Sequence, residues 1–495
     1  MSNASRVVIS AFFSVAAKFL GKTLGLISTF IVARLLAPVD FGFIAIVSMT
    51  LYFFDILSHA AGEQYVIQKK VVTFLDLHTA WTLNLLLKVA IALGVFACAG
   101  LLAGLFDAAH LSDAIKVSAV ILPLQALKNH KLMLLKRQLR FQPLFWLSLL
   151  ERLFALPILI TLAVILGNFW AFLITDISVA VFALVLSFVV IKGKPFFTLK
   201  KLKQQWSFSQ WMLGKHLLGY LRSQIDTFVV AKWFPASLLG NYHMARDLAM
   251  MPAHYLLSPA IEPLLAIFKN DKNNEHQLLN NVAFSLLVVF IISIPILAAL
   301  AFYAKPIVYM LLGEKWTVAA ELLPILSILF FYWCVIQVLD AALIAMGKVQ
   351  FLFVFDFVSL TSVLIALVTA IWLELDLLHL AWVRSISGLL LAILLLVWMF
   401  KGNGKLLRPV ALLFLTFAVG ASLAMIPTLL VPGGQFPEAN ATYVHYIKSI
   451  AELMVFGTFY IFFVALALGL SKQYHLVRFK SLIFQHLPQR LRYFG

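Results

Sequence analysis

Across 495 residues, 63% are hydrophobic and only 12% are charged, and the mean hydropathy is +0.99. A soluble domain carries about 25% charged residues, so this composition cannot build a water-facing surface and lipid must be the main solvent. That excludes a string of soluble domains. The net charge of +17 finds its explanation in the loops rather than in a nucleic-acid surface.

Apolar runs of spanning length occur at residues 8–36, 42–63, 79–106, 115–134, 143–167 and 169–191. Eight more follow at 207–233, 239–267, 279–304, 319–343, 351–373, 378–400, 407–430 and 445–470. A bilayer core asks for about 20 helical residues, and the longer runs must tilt. None alternates apolar with polar as barrel strands do, so only helices are admissible. The pattern predicts an all-α polytopic membrane protein of about fourteen transmembrane helices. The first run is too long for a signal-peptide core and lacks a small-residue cleavage site, so it is expected to be retained. Cys98 and Cys334 sit inside apolar runs with no metal-ligand spacing and read as core filler.

With the amino terminus inside, alternate loops carry Lys69 and Lys70, then Lys128, Lys131, Lys136, Arg137 and Arg140, then Lys192, Lys194, Lys200, Lys201 and Lys203. Later loops on that side carry Lys401, Lys405 and Arg408, followed by a tail with Lys472, Arg478, Lys480, Arg490 and Arg492. The opposite loops, at 38–41, 107–113, 167–168, 374–379 and 432–442, are short and acidic or neutral. This asymmetry follows the positive-inside rule and predicts that both termini are cytoplasmic.

An internal repeat is visible. Val32, Ala33 and Arg34 before Gly42 match Val230, Ala231 and Lys232 before Gly240, at one offset of 198 residues for the basic residue and the glycine. Gly21 maps to Gly219 by the same shift, and Arg137 to Phe141 is weakly echoed by Gly347 to Phe351. Such self-similarity predicts two six-helix halves in parallel orientation, with two further helices added.

Residues 32–43, reading VARLLAPVDFGF, resemble the first-helix exit of Wzx-type polysaccharide-lipid flippases. Gln68, Lys69 and Lys70 are similar to the family after its second helix, and Gln138, Leu139, Arg140 and Phe141 after its fourth. So are Gly313, Glu314, Lys315 and Trp316 before the tenth, followed by a Leu/Pro-rich run through Leu326. The likeness covers most of residues 5–400 and points to the subgroup exporting colanic-acid-type exopolysaccharide units. That family shares a superfamily with multidrug/toxin extruders and lipid II flippases. The resemblance implies two pseudo-symmetric lobes in a V around a central cavity, residues 1–205 and 206–402. Helices thirteen and fourteen would fill 403–472, followed by a basic cytoplasmic tail at 473–495.

Ionisable groups at membrane depth cost roughly 2.5–3.5 kcal/mol each on insertion scales, so they face a cavity or a partner. Lys18 and Lys22 share one face of the first helix, and Lys18 lies about 15 Å deep at 1.5 Å per residue. Lys215, Arg222 and Asp226 recur along the seventh helix. The family places these two helices along its cavity, so Lys18, Lys22, Lys215 and Arg222 are the expected cations for a pyrophosphate, supplying charge-assisted donors to several oxygens. Lys88 and Arg384 join this set, although Lys88 could instead snorkel to the interface. Asp226, Asp55 and Asp176 are the candidates for coupling to H+ or Na+. Trp211, Tyr220, Tyr332 and Trp333 are candidates to stack on sugars, although filler is the commoner role of membrane aromatics. Glu151 beside Arg152 reads as a structural pair, and Arg34, Lys116 and Lys232 as anchors at the outer face.

Gly21, Lys22 and Thr23 end like a phosphate-binding loop but lie in a membrane helix without the leading glycine. No His/Cys cluster, metal-ligand set or nucleophile elbow appears, so no metal and no bound cofactor are expected. The resulting expectation is a bacterial inner-membrane flippase for polyprenyl-pyrophosphate-linked oligosaccharide, working by ATP-independent alternating access. Its partners would be the bilayer and the polysaccharide polymerase or export machinery, with no nucleic acid. The alternatives are a cation-coupled drug antiporter, which needs an anionic cavity, a lipid II flippase, or a membrane glycosyltransferase or polymerase, which needs larger loops.

Overall fold

A computed structural model describes residues 20–21, 23–58, 62–138, 140–271, 274–401, 404–429, 443–470 and 473–486. The described residues are helical and contain no β-strand, and ten of their helices are long and apolar enough to cross a membrane. Backbone packing divides the chain into two compact units, Met1–His243 and Met244–Gly495.

The first unit holds α1 (Thr23–Leu35), α2 (Pro38–Ser58), α3 (Glu63–Gln68), α4 (Phe74–Leu105), α5 (Ser112–Ala119) and α6 (Ile121–Ala126). It continues with α7 (Lys131–Arg137), α8 (Phe141–Leu166), α9 (Trp170–Val190), α10 (Leu202–Trp233) and the start of α11 (Ala236–Pro252). Local chemistry sets the ends. Pro38 suits a first helical position because its missing N–H would have no partner there. The buried Asp40 accepts the Ala37 and Phe169 N–H groups, each at 3.1 Å, and so ties the start of α2 to the start of α9. Thr73 and Asp76 form a capping box at the head of α4. Gly167, in the left-handed region at φ 63°, closes α8.

The expected fourth span does not form one helix. The chain tightens at Val120, whose N–H bonds Val117 three residues back, and Pro123 then removes the donor that would have reached Ala119. Beyond α6, Asn129 leaves the helix. Its N–H donates to Ser187 Oγ at 3.0 Å and its side chain to the Ile191 carbonyl at 2.6 Å. The connection after α9 is held against α4 by the Phe196 N–H donating to His78 Nδ1 (2.9 Å) and the Thr198 N–H to Thr82 Oγ1 (3.2 Å).

His130 lies in this corner, buried, with its ring centroid 4.4 Å from that of His78. Burial, then the neighbouring His78 and Lys131, push its imidazole down to about 4. The depressed pKa means stability is fully present above the unfolded value near 6.5 and is lost as pH falls toward 4. We expect at most about 3 kcal/mol of acid destabilisation from this group, at about 1.36 kcal/mol per pKa unit. Thermal unfolding of native protein and His130→Gln between those pH values checks it, and parallel pH profiles would refute it.

α10 is long but too polar to count among the ten apolar spans, since it carries the charges named above. At its far end lies the close approach of the repeat glycines. A Cβ on Gly42 would overlap the carbonyl oxygen of Ala236, and a Cβ on Gly240 would overlap that of Pro38. Ala236 stands to Pro38 as Gly240 stands to Gly42, so the 198-residue offset of the sequence is repeated by the atoms in contact. Small residues allow backbones to meet this closely in a membrane.

In the second unit, α11 ends at Pro252 and passes through a π-turn at Ala253–Leu257 into α12 (Ser258–Ile261) and α13 (Leu264–Asn270). Pro252, Pro259 and Pro263 account for the interruptions. Then come α14 (Glu275–Phe302), α15 (Ala304–Leu311), α16 (Thr317–Ala345), α17 (Val349–Trp372), α18 (Leu377–Met399), α19 (Gly404–Leu429), α20 (Tyr443–Leu470) and α21 (Tyr474–His486). α16 is the central helix, packed on α14 and α18. Gly313, at φ 102°, makes the turn that sets fully buried Trp316 at its head. That is the physical content of the Gly313 to Trp316 motif. α19 and α20 are anchored in this core through buried Leu413, Phe417 and Phe456 and a Tyr460 hydroxyl donating to the Ile291 carbonyl at 3.0 Å. The other apolar surfaces, such as Val164, Ile165, Ile461 and Phe462, face outward as lipid contact requires.

Candidate functional site

Within the first unit a cavity of about 330 Å³ opens between α2, α6, α10 and the start of α11. Two polar stripes line it. Ser48, Tyr52 and Asp55 recur at i, i+4 and i+7 on α2, and Tyr220, Gln224 and Thr227 recur at the same spacing on α10, so each helix presents one face inward. Gln125 of α6 and His243 of α11 complete the polar lining.

Lys88 of α4 reaches the Asp55 carboxylate at 2.7 Å and the Gln125 side-chain oxygen at 3.0 Å, with 10% of its side chain exposed. It therefore does not snorkel: its charge is spent beside the cavity. A pair this enclosed is offset by Coulomb attraction only because the hydrogen bonds are also made. The Tyr220 hydroxyl donates to the Met49 carbonyl at 2.6 Å, which locks its ring against Tyr52 at 5.4 Å between centroids. Tyr220 is buried and Tyr52 is 55% exposed, so the accessible aromatic surface here is that of Tyr52.

Asp226 is fully buried behind this wall, accepting from the Thr227 N–H at 2.9 Å and the Tyr242 hydroxyl at 3.0 Å. Arg222 is half-buried one turn earlier on α10. Lys18 and Lys22 lie outside the described residues, as do the side chains of Lys215 and Trp211. Asp176 occupies an exposed position on α9 and is not among the residues lining the cavity. In the second unit, buried Arg384 donates to the Tyr332 hydroxyl at 2.6 Å. Of the expected site residues, then, the fold brings Lys88 and Asp55 together.

Glu151 contacts Lys128 at 3.3 Å. Lys232 pairs with Asp107 at 2.7 Å and Lys116 with Asp113 at 3.0 Å, both acids of the 107–113 loop. Cys334 is buried but Cys98 is exposed, so only the former is core filler. Sequence reasoning missed Tyr52, Gln125, Gln224 and His243. The recurring spacing of 48, 52 and 55 and of 220, 224 and 227 was available as a signal, but only packing shows that the two stripes face one space.

The described residues thus form a helical membrane protein whose first unit holds a small cavity walled by polar, aromatic and aliphatic side chains. The chain matches the model of the polysaccharide biosynthesis protein family over residues 31–321, more than half its length, and belongs to that family. It is 26% identical over 351 residues to an uncharacterized membrane protein in the cps region of Klebsiella pneumoniae, covering 68% of this chain and 70% of that one. Lipopolysaccharide biosynthesis protein WzxC of Escherichia coli is 23% identical over 364 residues, covering 72% and 73% respectively. Among solved structures, the lipid II flippase MurJ in an inward closed conformation aligns with a TM-score of 0.71 at 15% identity, covering 96% of this chain and 100% of that one. That similarity establishes the shared fold.

Proposed function

We propose that this protein carries polyprenyl-pyrophosphate-linked oligosaccharide from the cytoplasmic to the outer leaflet of a bacterial inner membrane, by alternating access and without nucleotide hydrolysis. The observation that carries this reading is the family match joined to a cavity among the helices of the first unit, with polar and aromatic side chains in its wall. The glycan and its head group occupy polar space while the lipid tail stays in the bilayer. Both termini are cytoplasmic in this reading: reporters fused at Gly402 and Gly495 are expected to read cytoplasmic and one at Gly434 external.

In this reading Lys18, Lys22, Lys215 and Arg222 neutralise the pyrophosphate, with Arg384 as a further cation. An inside-negative potential favours outward movement of an anionic head group by roughly 2.3 kcal/mol per charge per 100 mV. Asp226 is the coupling acid for H+ or Na+, with Asp55 and Asp176 as further candidates. Flipping of labelled lipid-linked oligosaccharide in vesicles, under imposed pH, sodium or potential gradients, tests the scheme. Arg222→Lys keeps the charge but loses the planar fork, so it is expected to slow flipping less than Arg222→Ala. Asp226→Asn is expected to lose the response to one gradient. Normal flipping by the quadruple alanine variant of the four cations would remove them from the mechanism. Absence of an accumulated lipid-linked intermediate in a deletion strain would remove the function itself.

A further inference from the structure

The α2–α10 cavity has a chemistry of its own. Its lining offers hydroxyls from Ser48, Tyr52 and Thr227, amides from Gln125 and Gln224, and an imidazole from His243. Its carboxylate, Asp55, is matched by Lys88 at 2.7 Å. The pair as a whole is neutral, and the rest of the polar lining is uncharged hydroxyl, amide and imidazole groups, which suits an uncharged polar ligand. Hydroxyls and amides can both donate and accept, which suits a ligand made of alcohols and amides. The Tyr52 ring supplies a flat apolar face beside them. At about 330 Å³ the cavity sits at the lower end of the range for small-molecule sites, roughly 300–1,000 Å³. That fits one sugar ring rather than a whole repeat unit.

We infer that this cavity is a subsite for a single uncharged pyranose residue of the transported glycan, set apart from the groups that hold the diphosphate. The inference rests on the flippase reading above and adds a division of labour to it. The ring stacks on Tyr52 while its hydroxyl or acetamido groups bond Gln125, Gln224 and Asp55. A site that hydrogen-bonds a substrate hydroxyl rejects analogues lacking it, because its own polar groups are left unpaired.

The test uses the full chain in lipid nanodiscs and two probes, undecaprenyl diphosphate and the same lipid bearing one N-acetylhexosamine. Native protein should bind the sugar-bearing probe about 10-fold tighter, the equivalent of one or two good hydrogen bonds. Tyr52→Ala and Gln224→Ala should each abolish most of that preference while leaving affinity for the bare lipid unchanged. Tyr52 is 55% exposed, so its removal costs little packing beyond its contact with the Tyr220 ring. Asp55→Asn frees the Lys88 charge and removes one sugar partner, so it should tighten the bare diphosphate and shrink or erase the preference for the sugar-bearing probe. A folding defect cannot produce that gain. Equal binding of both probes by native protein, or equal weakening of both by the variants, overturns the subsite. If native protein binds neither probe, the lipid-linked substrate itself is wrong.

Discussion

Replacing Gly42 or Gly240 by alanine is expected to destabilise the first unit by roughly 1–3 kcal/mol or more, the usual cost of overpacking. The upper end applies because the clash is with the backbone carbonyls of Ala236 and Pro38, which cannot rotate aside. The helix starts must separate, and with them the Asp40 bonds that fix the head of α2. Thermal midpoints of the solubilised protein measure the loss. Both methyl groups would enter one crossing, so the double variant should cost less than the two single costs combined. Gly94, with nothing within 4 Å of its added Cβ, is the control: Gly94→Ala should be neutral or slightly stabilising, since alanine favours a helix by about 1 kcal/mol. A Gly42→Ala protein as stable as Gly94→Ala would mean that the close approach does not persist in the membrane.

The second large effect is expected at the Lys88–Asp55 pair. Lys88→Met removes an ammonium with 10% of its side chain exposed and leaves a carboxylate with 15% exposed without its cation. Breaking an enclosed pair from one side typically costs about 3–5 kcal/mol. The double variant Lys88→Met with Asp55→Leu should recover most of that, because neither charge then remains to be solvated. A double-mutant cycle read by chemical unfolding gives the coupling. Additive losses would show that the two groups are independently solvated and that the 2.7 Å contact carries no energy. Flipping should stay impaired in the double variant even where stability returns, since the cavity has lost its carboxylate.

The expected spans can be followed helix by helix. Over its described part, Thr23–Leu35, α1 is apolar. Among the described residues, three expected spans fall outside the apolar set: the α5–α6 pair, α10 and the broken run from α11 to α13. Of these, α6, α10 and α11 wall the cavity, where polar side chains replace the leucines that lipid would demand. Hydropathy locates such helices least well because their environment is not lipid. The breaks at Pro123, Pro252 and Pro263 were open to reading as prolines in the sequence, but a helical membrane run tolerates proline elsewhere, as at Pro157 in α8 and Pro324 in α16.

Composition alone determined that this chain is helical and membrane-bound, because a bilayer leaves an apolar backbone few ways to satisfy its hydrogen bonds. The spacing of Gly42 and Gly240 was likewise written in the chain, since a repeat offset is a property of sequence. Pairing across helices was not. Asp55 and Lys88 lie on different elements, and neither the 2.7 Å ion pair nor the Gln125 amide beside it follows from any period along α2 or α4. Lys88 looked like a free cation for a phosphate, and Tyr220 like a sugar platform, until packing gave the first a carboxylate and drew the second inside, leaving Tyr52 at the surface. A lone sequence specifies which charges must find partners at membrane depth; the choice of partner depends on which helix faces come within about 3–4 Å, and that is set only by tertiary packing.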